Sequence, residues 1–267
     1  MASLPPLVHI LLATLMGGVL SVVAATFIMI GMPKRWMPRL VGFATGVLLA
    51  VALLDVLPEA FDAGIAPIKL FATLLVSLLC FYGLERVAVW RHSHPDEEGH
   101  DHHCPPHEHG HQHHDHGIGR NAVVAVMIGD TFHNFVDGVL LAATFLTSPA
   151  LGWSTAFAVI AHEIPQEAGD FAIVRAAGYS AMRSLLFNGL SSLASVLGGL
   201  LGFFALSHAQ GWLPYILVVA AASFLYIAIS DLLPMLRREG HRRTSMWQTA
   251  WMLIGIGLIA ISAASAH

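Results

Sequence analysis

Charge is what this sequence has least of: 11% of its 267 residues are Asp, Glu, Lys or Arg, against about a quarter in a soluble domain. Cysteine is scarcer still, with two. Cys80 lies in an apolar stretch and Cys104 in a polar connection, so a disulfide between them is not expected, and no paired-Cys metal motif exists. The formal net charge of −4 with His neutral gives no reason to expect nucleic-acid binding. The first apolar stretch lacks a basic segment before it and is too long for a signal-peptide core, so it reads as a retained span.

What fills the place of charge is apolar length. Hydrophobic residues make up 56% of the chain and its mean hydropathy is +0.68. A helix needs roughly 20 apolar residues to cross a hydrocarbon core. Eight stretches qualify: Leu7–Met32, Leu40–Leu57, Pro67–Trp90, Asn121–Leu146, Leu151–Val174, Ser184–Leu206, Trp212–Leu233 and Trp247–Ala264. The expected fold is an all-α integral membrane protein of eight transmembrane helices, with residues 1–267 forming one transmembrane domain in a lipid bilayer.

Basic residues set the orientation. Twelve of the thirteen Lys and Arg residues fall in or beside the odd-numbered connections, on one side, and Lys69 alone falls on the other. That asymmetry makes those connections cytoplasmic and both termini extracytoplasmic. A bacterial inner (plasma) membrane is the expected location. All six Trp residues sit at or near span ends, as an interfacial belt requires.

The third connection is the low-complexity segment. Between His92 and His116 there are eleven histidines, among them His102, His103, His107, His109, His111, His113, His114 and His116. With almost nothing apolar to bury, residues 91–119 should be a disordered cytoplasmic loop that binds metal weakly at many places. A metal-buffering or sensing role weighs against a plain solvated linker.

The spans carry the sharper signal. Asp55, Asp130, Asp137, Glu163, Glu167, Asp170 and Asp231 lie within apolar stretches, and Glu59 lies just past the second, with no Lys or Arg at similar depth. Each such acid costs roughly 2.5–3.5 kcal/mol to insert. Proton relays, structural hydrogen bonds or a cation route could account for them, and the histidines among them favour a cation route. In the fourth span His133 and Asp137 are i,i+4, as are Asp130 and Asn134. In the fifth, His162 pairs with Gln166 and Glu163 with Glu167, while Pro165 should free the Ala161 carbonyl and kink the helix. One intramembrane histidine would read as a packed core residue; two histidines, two amides and five acids on neighbouring helices do not.

A second pattern is Asp55-Val56-Leu57-Pro58 at the end of span 2 and Asp231-Leu232-Leu233-Pro234 at the end of span 7. These spans run in opposite directions, so the pattern sits at opposite membrane faces, as an inverted repeat of spans 1–3 and 6–8 would place it. Asp55 would then line an outer vestibule and Asp231 an inner one.

The stretches His133-Asn134-Phe135-Val136-Asp137-Gly138 and His162-Glu163-Ile164-Pro165-Gln166-Glu167 resemble the fourth- and fifth-span signatures of the ZIP (Zrt/Irt-like) metal transporters. The resemblance is closest to the LIV-1 branch, whose fifth-span motif has the form HEIPHE followed by Gly-Asp, as at Gly169-Asp170. It implies two inverted three-helix repeats around a central pair of helices 4 and 5, a homodimer, and movement of divalent metal toward the cytoplasm. The resemblance also implies Zn2+ as the transported substrate, with Fe2+, Mn2+ or Cd2+ as alternatives, and no organic cofactor. The resemblance implies a primary site of His133, Asp137, His162 and position 166, with Asn134, Glu163 and Glu167 in an adjoining second site. Gln166 stands where the branch usually has His, which loosens zinc preference toward harder ions. Ser195 stands where some bacterial members offer a Glu, so a full binuclear site is not expected. Crowded carboxylates at mid-depth should share protons until metal arrives, which makes transport pH-dependent.

The rival reading is an intramembrane metalloprotease using His162-Glu163. Its His-Glu-x-x-His motif fails here, because Gln166 takes the last position and Pro165 interrupts the turn.

Overall fold

The structure is a computed structural model that describes residues 5–31, 36–93, 120–238 and 242–266. The histidines expected to bind metal between His102 and His116 lie outside the described residues. The described residues are helical, without a strand: α1 (Pro6–Gly31), α2 (Met37–Ala50), α3 (Leu57–Asp62), α4 (Pro67–Ser93), α5 (Arg120–Thr147), α6 (Pro149–Ala176), α7 (Ala181–Ser207), α8 (Leu213–Tyr226), α9 (Leu233–Arg238) and α10 (Arg242–Ala266).

Two of these helices continue through a wide turn into the next. Residues Val51–Val56 join α2 to α3 as a π-helical segment, and Ile227–Leu232 join α8 to α9 in the same way. In each, the backbone N–H of the following leucine reaches five residues back, Leu57 to Ala52 and Leu233 to Ala228. Pro58 or Pro234 comes next, where a ring without an N–H would otherwise break an α-helical ladder; the π turn absorbs that loss and the rod continues. Glu59, expected beyond the end of its span, therefore lies inside α3. Asp55 and Asp231 are each the fifth residue of their π segment.

Among the described residues, six stretches are long and apolar enough to cross a membrane: Pro6–Met29, Met37–Asp62, Pro67–Leu84, Ala181–Ser207, Gln210–Leu236 and Met246–Ala264. The 28-residue helices α5 and α6 are not among them, because their middles hold the acids, amides and histidines. Polarity is inverted relative to a water-soluble bundle. Ile68 and Ile261 are each 74% exposed, whereas Asp137 and Glu167 are fully buried. An apolar exterior of this kind is covered by lipid in a membrane protein. At one rim the Arg39 guanidinium sits 4.7 Å from the Trp36 ring centre and 5.5 Å from that of Trp247, a cation–π arrangement suited to the interface.

Packing comes in matched pairs. α1 packs on α6 while α7 packs on α5; α10 packs on α2 while α4 packs on α8. The π segment after α2 lies against α8, and the one after α8 lies against α2. Some of these contacts are backbone to backbone. A Cβ on Gly138 of α5 would overlap the Ser195 carbonyl of α7, and one on Gly198 would overlap the Phe135 carbonyl. Glycine is what lets these two helices meet so closely, as is usual between membrane helices.

Candidate metal site

Helices α5 and α6 form an antiparallel hairpin linked by Ser148 alone. Its hydroxyl accepts the Leu151 N–H at 3.2 Å, and Pro149 follows at the first helical position, where a missing N–H costs nothing. This turn sets the register of everything below it. His133 stands fifteen residues before Ser148 and His162 fourteen after it, so at 1.5 Å per residue both lie roughly 21–23 Å from the turn. Glu163 matches His133 in depth, and Asp130, Gln166 and Glu167 share a level about one turn further in. Pro165 does not interrupt α6, which runs through it as a single helix.

Four side chains converge at the first level. The Nε2 atoms of His133 and His162 are 3.0 Å apart. Asp137 Oδ2 lies 3.2 Å from His162 Nε2 and 3.6 Å from His133 Nε2. Glu163 Oε1 lies 3.6 Å and 4.0 Å from the nitrogens of His133 and His162. Tetrahedral coordination with bonds of about 2.0–2.2 Å puts ligand atoms roughly 3.3–3.6 Å from one another, and the separations here, from 3.0 to 4.0 Å, bracket that range. His162 Nδ1 is 2.9 Å from the Ala158 carbonyl, so it donates there and leaves the Nε2 lone pair facing the cluster. His162, Asp137 and Glu163 are buried, and neither carboxylate oxygen of Glu163 accepts a hydrogen bond. Two buried acids whose ionic partners are two imidazoles form a set that could hold a metal ion.

The second level is formed by Asp130, Glu163 and Glu167, which can also direct one oxygen each to a common point. Glu163 thus belongs to both levels. Asp130 Oδ1 is held by the Asn134 amide at 3.1 Å and by Gln166 Nε2 at 3.3 Å. Glu167 Oε1 accepts the Ser192 hydroxyl at 3.0 Å, and Asn188 Nδ2 donates to the Glu167 backbone carbonyl at 2.9 Å.

The structure thus brings His133, Asp137 and His162 together, adds Glu163 to them, and turns Asn134 and Gln166 toward Asp130. Gln166 shares a helix face with His162, but its depth on the hairpin is that of Asp130. Ser195 does not reach the acids: its hydroxyl donates to the Ser192 carbonyl at 2.8 Å, and Ser192, one turn earlier, makes the contact. Ser192 and Asn188 are the residues that sequence reasoning missed; an Asn-x-x-Ser-Ser run in an apolar helix was their signal. Asp170 is half-buried on α6 beyond Gln166. Far from this group, Asp55 accepts the Ser154 hydroxyl of α6, and Asp231 is exposed beside Ser230, whose hydroxyl it accepts at 2.9 Å.

Comparison with known proteins gives this geometry a family. The family model described as ZIP Zinc transporter matches residues 6–263. The chain is similar to zinc transporter ZIP6 of Homo sapiens, 35% identical over 149 residues, which cover 53% of this chain and 20% of that protein. It is similar to zinc transporter ZIP10 of Danio rerio, 36% identical over 156 residues, covering 56% of this chain and 18% of that protein. It is also similar to the metal cation symporter ZIP14 of Xenopus tropicalis, 37% identical over 145 residues, covering 51% and 31%. These relatives are LIV-1 branch members, as the fifth-span motif implies. The chain spans about a fifth of the length of the ZIP6 and ZIP10 proteins.

Proposed function

The chain belongs to the ZIP zinc transporter family, a family of metal transporters rather than enzymes, and from that premise we propose that it carries a divalent transition-metal ion, zinc foremost, across a bilayer through the two linked levels of α5 and α6. The observation that carries this reading is the convergence of His133, Asp137, His162 and Glu163, three buried donors and one half-buried, with ligand atoms 3.0–4.0 Å apart in the contacts that the two imidazoles make.

Transport requires release as well as binding. The first level offers two nitrogen donors and two carboxylates. The second offers oxygen alone, from Asp130, Glu163 and Glu167. A zinc ion passing from the first to the second exchanges imidazole for weaker carboxylate ligands, and Glu163 can stay bound throughout. A graded series of stations permits escape where one strong site would trap the ion. The oxygen-rich second level also admits the harder Mn2+ and Fe2+, whereas the softer Cd2+ would rest on the imidazoles of the first.

The proposed layout has eight crossings, with α5 and α6 as the fourth and fifth, and two inverted three-helix units around them. Supporting it are the paired packing of α1 with α6 and α7 with α5, the reciprocal contacts of the two π segments, and the matched places of Asp55 and Asp231. The second level lies toward the end of the hairpin away from Ser148, where Arg175 and Arg183 also lie. The positive-inside rule makes that end cytoplasmic, so the graded stations run toward the cytoplasm, with both termini on the opposite face. A plasma membrane, the inner membrane if the host is bacterial, suits this orientation.

The test is uptake of divalent ions into proteoliposomes holding the purified chain. Saturable zinc uptake, competed by the other three ions with lower affinity, is expected. Fluxes no greater than those of protein-free vesicles for all four ions would overturn the reading.

A further inference from the structure

On the side of α5 away from α6 lies a groove of about 560 Å³ between α5 and α7, within the roughly 300–1,000 Å³ range of ligand pockets. Its walls include Met127, Phe132 and Phe135 of α5, Phe187 and Leu197 of α7, and Tyr179 from the turn that joins α6 to α7. The lining runs from Val123 to Phe135 along α5 and from Phe187 to Leu197 along α7. At 1.5 Å per residue these are roughly 15–18 Å, close to the thickness of one leaflet's hydrocarbon, about 15 Å. The groove therefore has the length and polarity of a single acyl chain.

The end of the groove at that turn is basic. Gly178, with φ +89°, ends α6 in a turn that places Tyr179 between Arg175 and Arg183 in sequence. Arg175 Nη1 donates to the Tyr179 carbonyl at 2.7 Å, and the Tyr179 ring packs on Phe187 with centres 5.6 Å apart. Arg183 lies one turn before Phe187, on the first turn of α7. Both guanidiniums are exposed, and among the described residues neither pairs with a carboxylate. The sequence holds no Asp or Glu between Phe171 and Ser230 to neutralise them. Two unneutralised arginines at the membrane-surface end of a leaflet-long apolar groove match an anionic headgroup joined to an acyl chain.

We propose that this groove seats one acyl chain of an anionic phospholipid, with Arg175 and Arg183 holding the phosphate. The lipid would back the segment of α5 that carries His133 and Asn134, because Phe132 and Phe135 form the wall between them. The binding needs no metal, so it stands or falls separately from the transport reading.

Native mass spectrometry of the full chain in detergent tests it, with palmitoyl-oleoyl phosphatidylglycerol and phosphatidylcholine offered in equal amounts. Wild type should retain the phosphatidylglycerol about tenfold or more over the phosphatidylcholine, as two surface arginines would supply. The double variant Arg175→Gln/Arg183→Gln should bring the two lipids to parity, while Arg175→Lys/Arg183→Lys, which keeps the charge, should preserve much of the preference. Ala194→Phe, which fills the groove, should reduce retention of both lipids. Equal retention by wild type, or an unchanged preference in the Gln double variant, would overturn the proposal. So would loss of a two-copy species in Ala194→Phe with lipid retention intact, since a second chain would then be the occupant.

Discussion

His133 and His162 point their Nε2 atoms at each other across 3.0 Å, although they come from different helices. His162 cannot turn its ring over to avoid this without losing the Ala158 carbonyl on its other nitrogen. Two imidazole lone pairs at that distance repel unless a proton or a metal ion lies between them, so the backbone hydrogen bond preorganises the pair for a cation. Zinc added to the purified chain should shift the Nε2 15N resonances of both histidines and leave His162 Nδ1 protonated. Shifts confined to one ring would separate the pair from the metal.

Metal binding should weaken as the solution becomes acid. Imidazole and carboxylate ligate only when deprotonated, so each zinc that binds releases protons held by the cluster. Raising the proton concentration therefore favours the metal-free form, and zinc affinity should rise from mildly acid to neutral conditions. Titration calorimetry in buffers of differing ionisation enthalpy would count the protons released. A count of zero, with affinity independent of pH, is the result this argument cannot accommodate.

Ser192 should matter to the metal and Ser195 should not. The Ser192 hydroxyl reaches one oxygen of Glu167 at 3.0 Å, a carboxylate that outcompetes the Asn188 carbonyl at 2.9 Å for its proton, whereas the Ser195 hydroxyl reaches only the Ser192 carbonyl. Removing an outer partner of a metal ligand typically costs about 10–100-fold in affinity. Ser192→Ala should weaken zinc binding toward the lower end of that range, and Ser195→Ala should leave it within about twofold. Competition with a zinc-sensitive dye is a sufficient measurement.

Two glycines on α5 should respond in opposite directions to alanine. Gly138 meets the Ser195 carbonyl of α7, so a methyl group there forces the backbones apart, at a cost of about 1–3 kcal/mol. Gly129 has nothing within 4 Å of where a Cβ would sit, so Gly129→Ala should stabilise the helix by about 0.5–1 kcal/mol. Melting temperatures in one detergent would rank them: Gly138→Ala lowest, Gly129→Ala at or above wild type.

Position 166 tests how the two levels divide selectivity. Gln166 hydrogen-bonds Asp130 at 3.3 Å and so belongs with the oxygen-rich level. Gln166→His would add a nitrogen donor there, and zinc should gain over Mn2+ in a competition assay. An unchanged metal ranking would mean that the second level does not discriminate.

How much of this was legible follows from the kind of signal each residue left. His133 with Asp137, and His162 with Glu163, announced themselves because charge is so costly in an apolar helix that its presence demands a partner. The partition between levels was less legible, because helical periodicity reports a face and not a depth. Gln166 shares a face with His162, yet counting outward from Ser148 sets it level with Asp130. Counting from that turn would also have set Glu163 level with His133. Ser192 was overlooked because a hydroxyl in a membrane helix usually bonds its own backbone, as Ser195 does and as Ser192 also can, so the Asn-x-x-Ser-Ser run does not say which hydroxyl reaches an acid. The repeated Asp-x-Leu-Pro was visible, but the π turns that carry it were not: a proline predicts a broken ladder, and only packing on α8 and α2 decides that the rod continues.

The central claim is that metal crosses by way of the cluster on α5 and α6, and zinc flux in proteoliposomes holding the Asp137→Ala variant tests it most directly. Asp137 is fully buried, touches both histidines and belongs to the first level alone. With protein incorporation and melting temperature matched to wild type, the account predicts zinc uptake reduced to a few per cent or less. Uptake at the wild-type rate would contradict it, and would place the route elsewhere in the bundle.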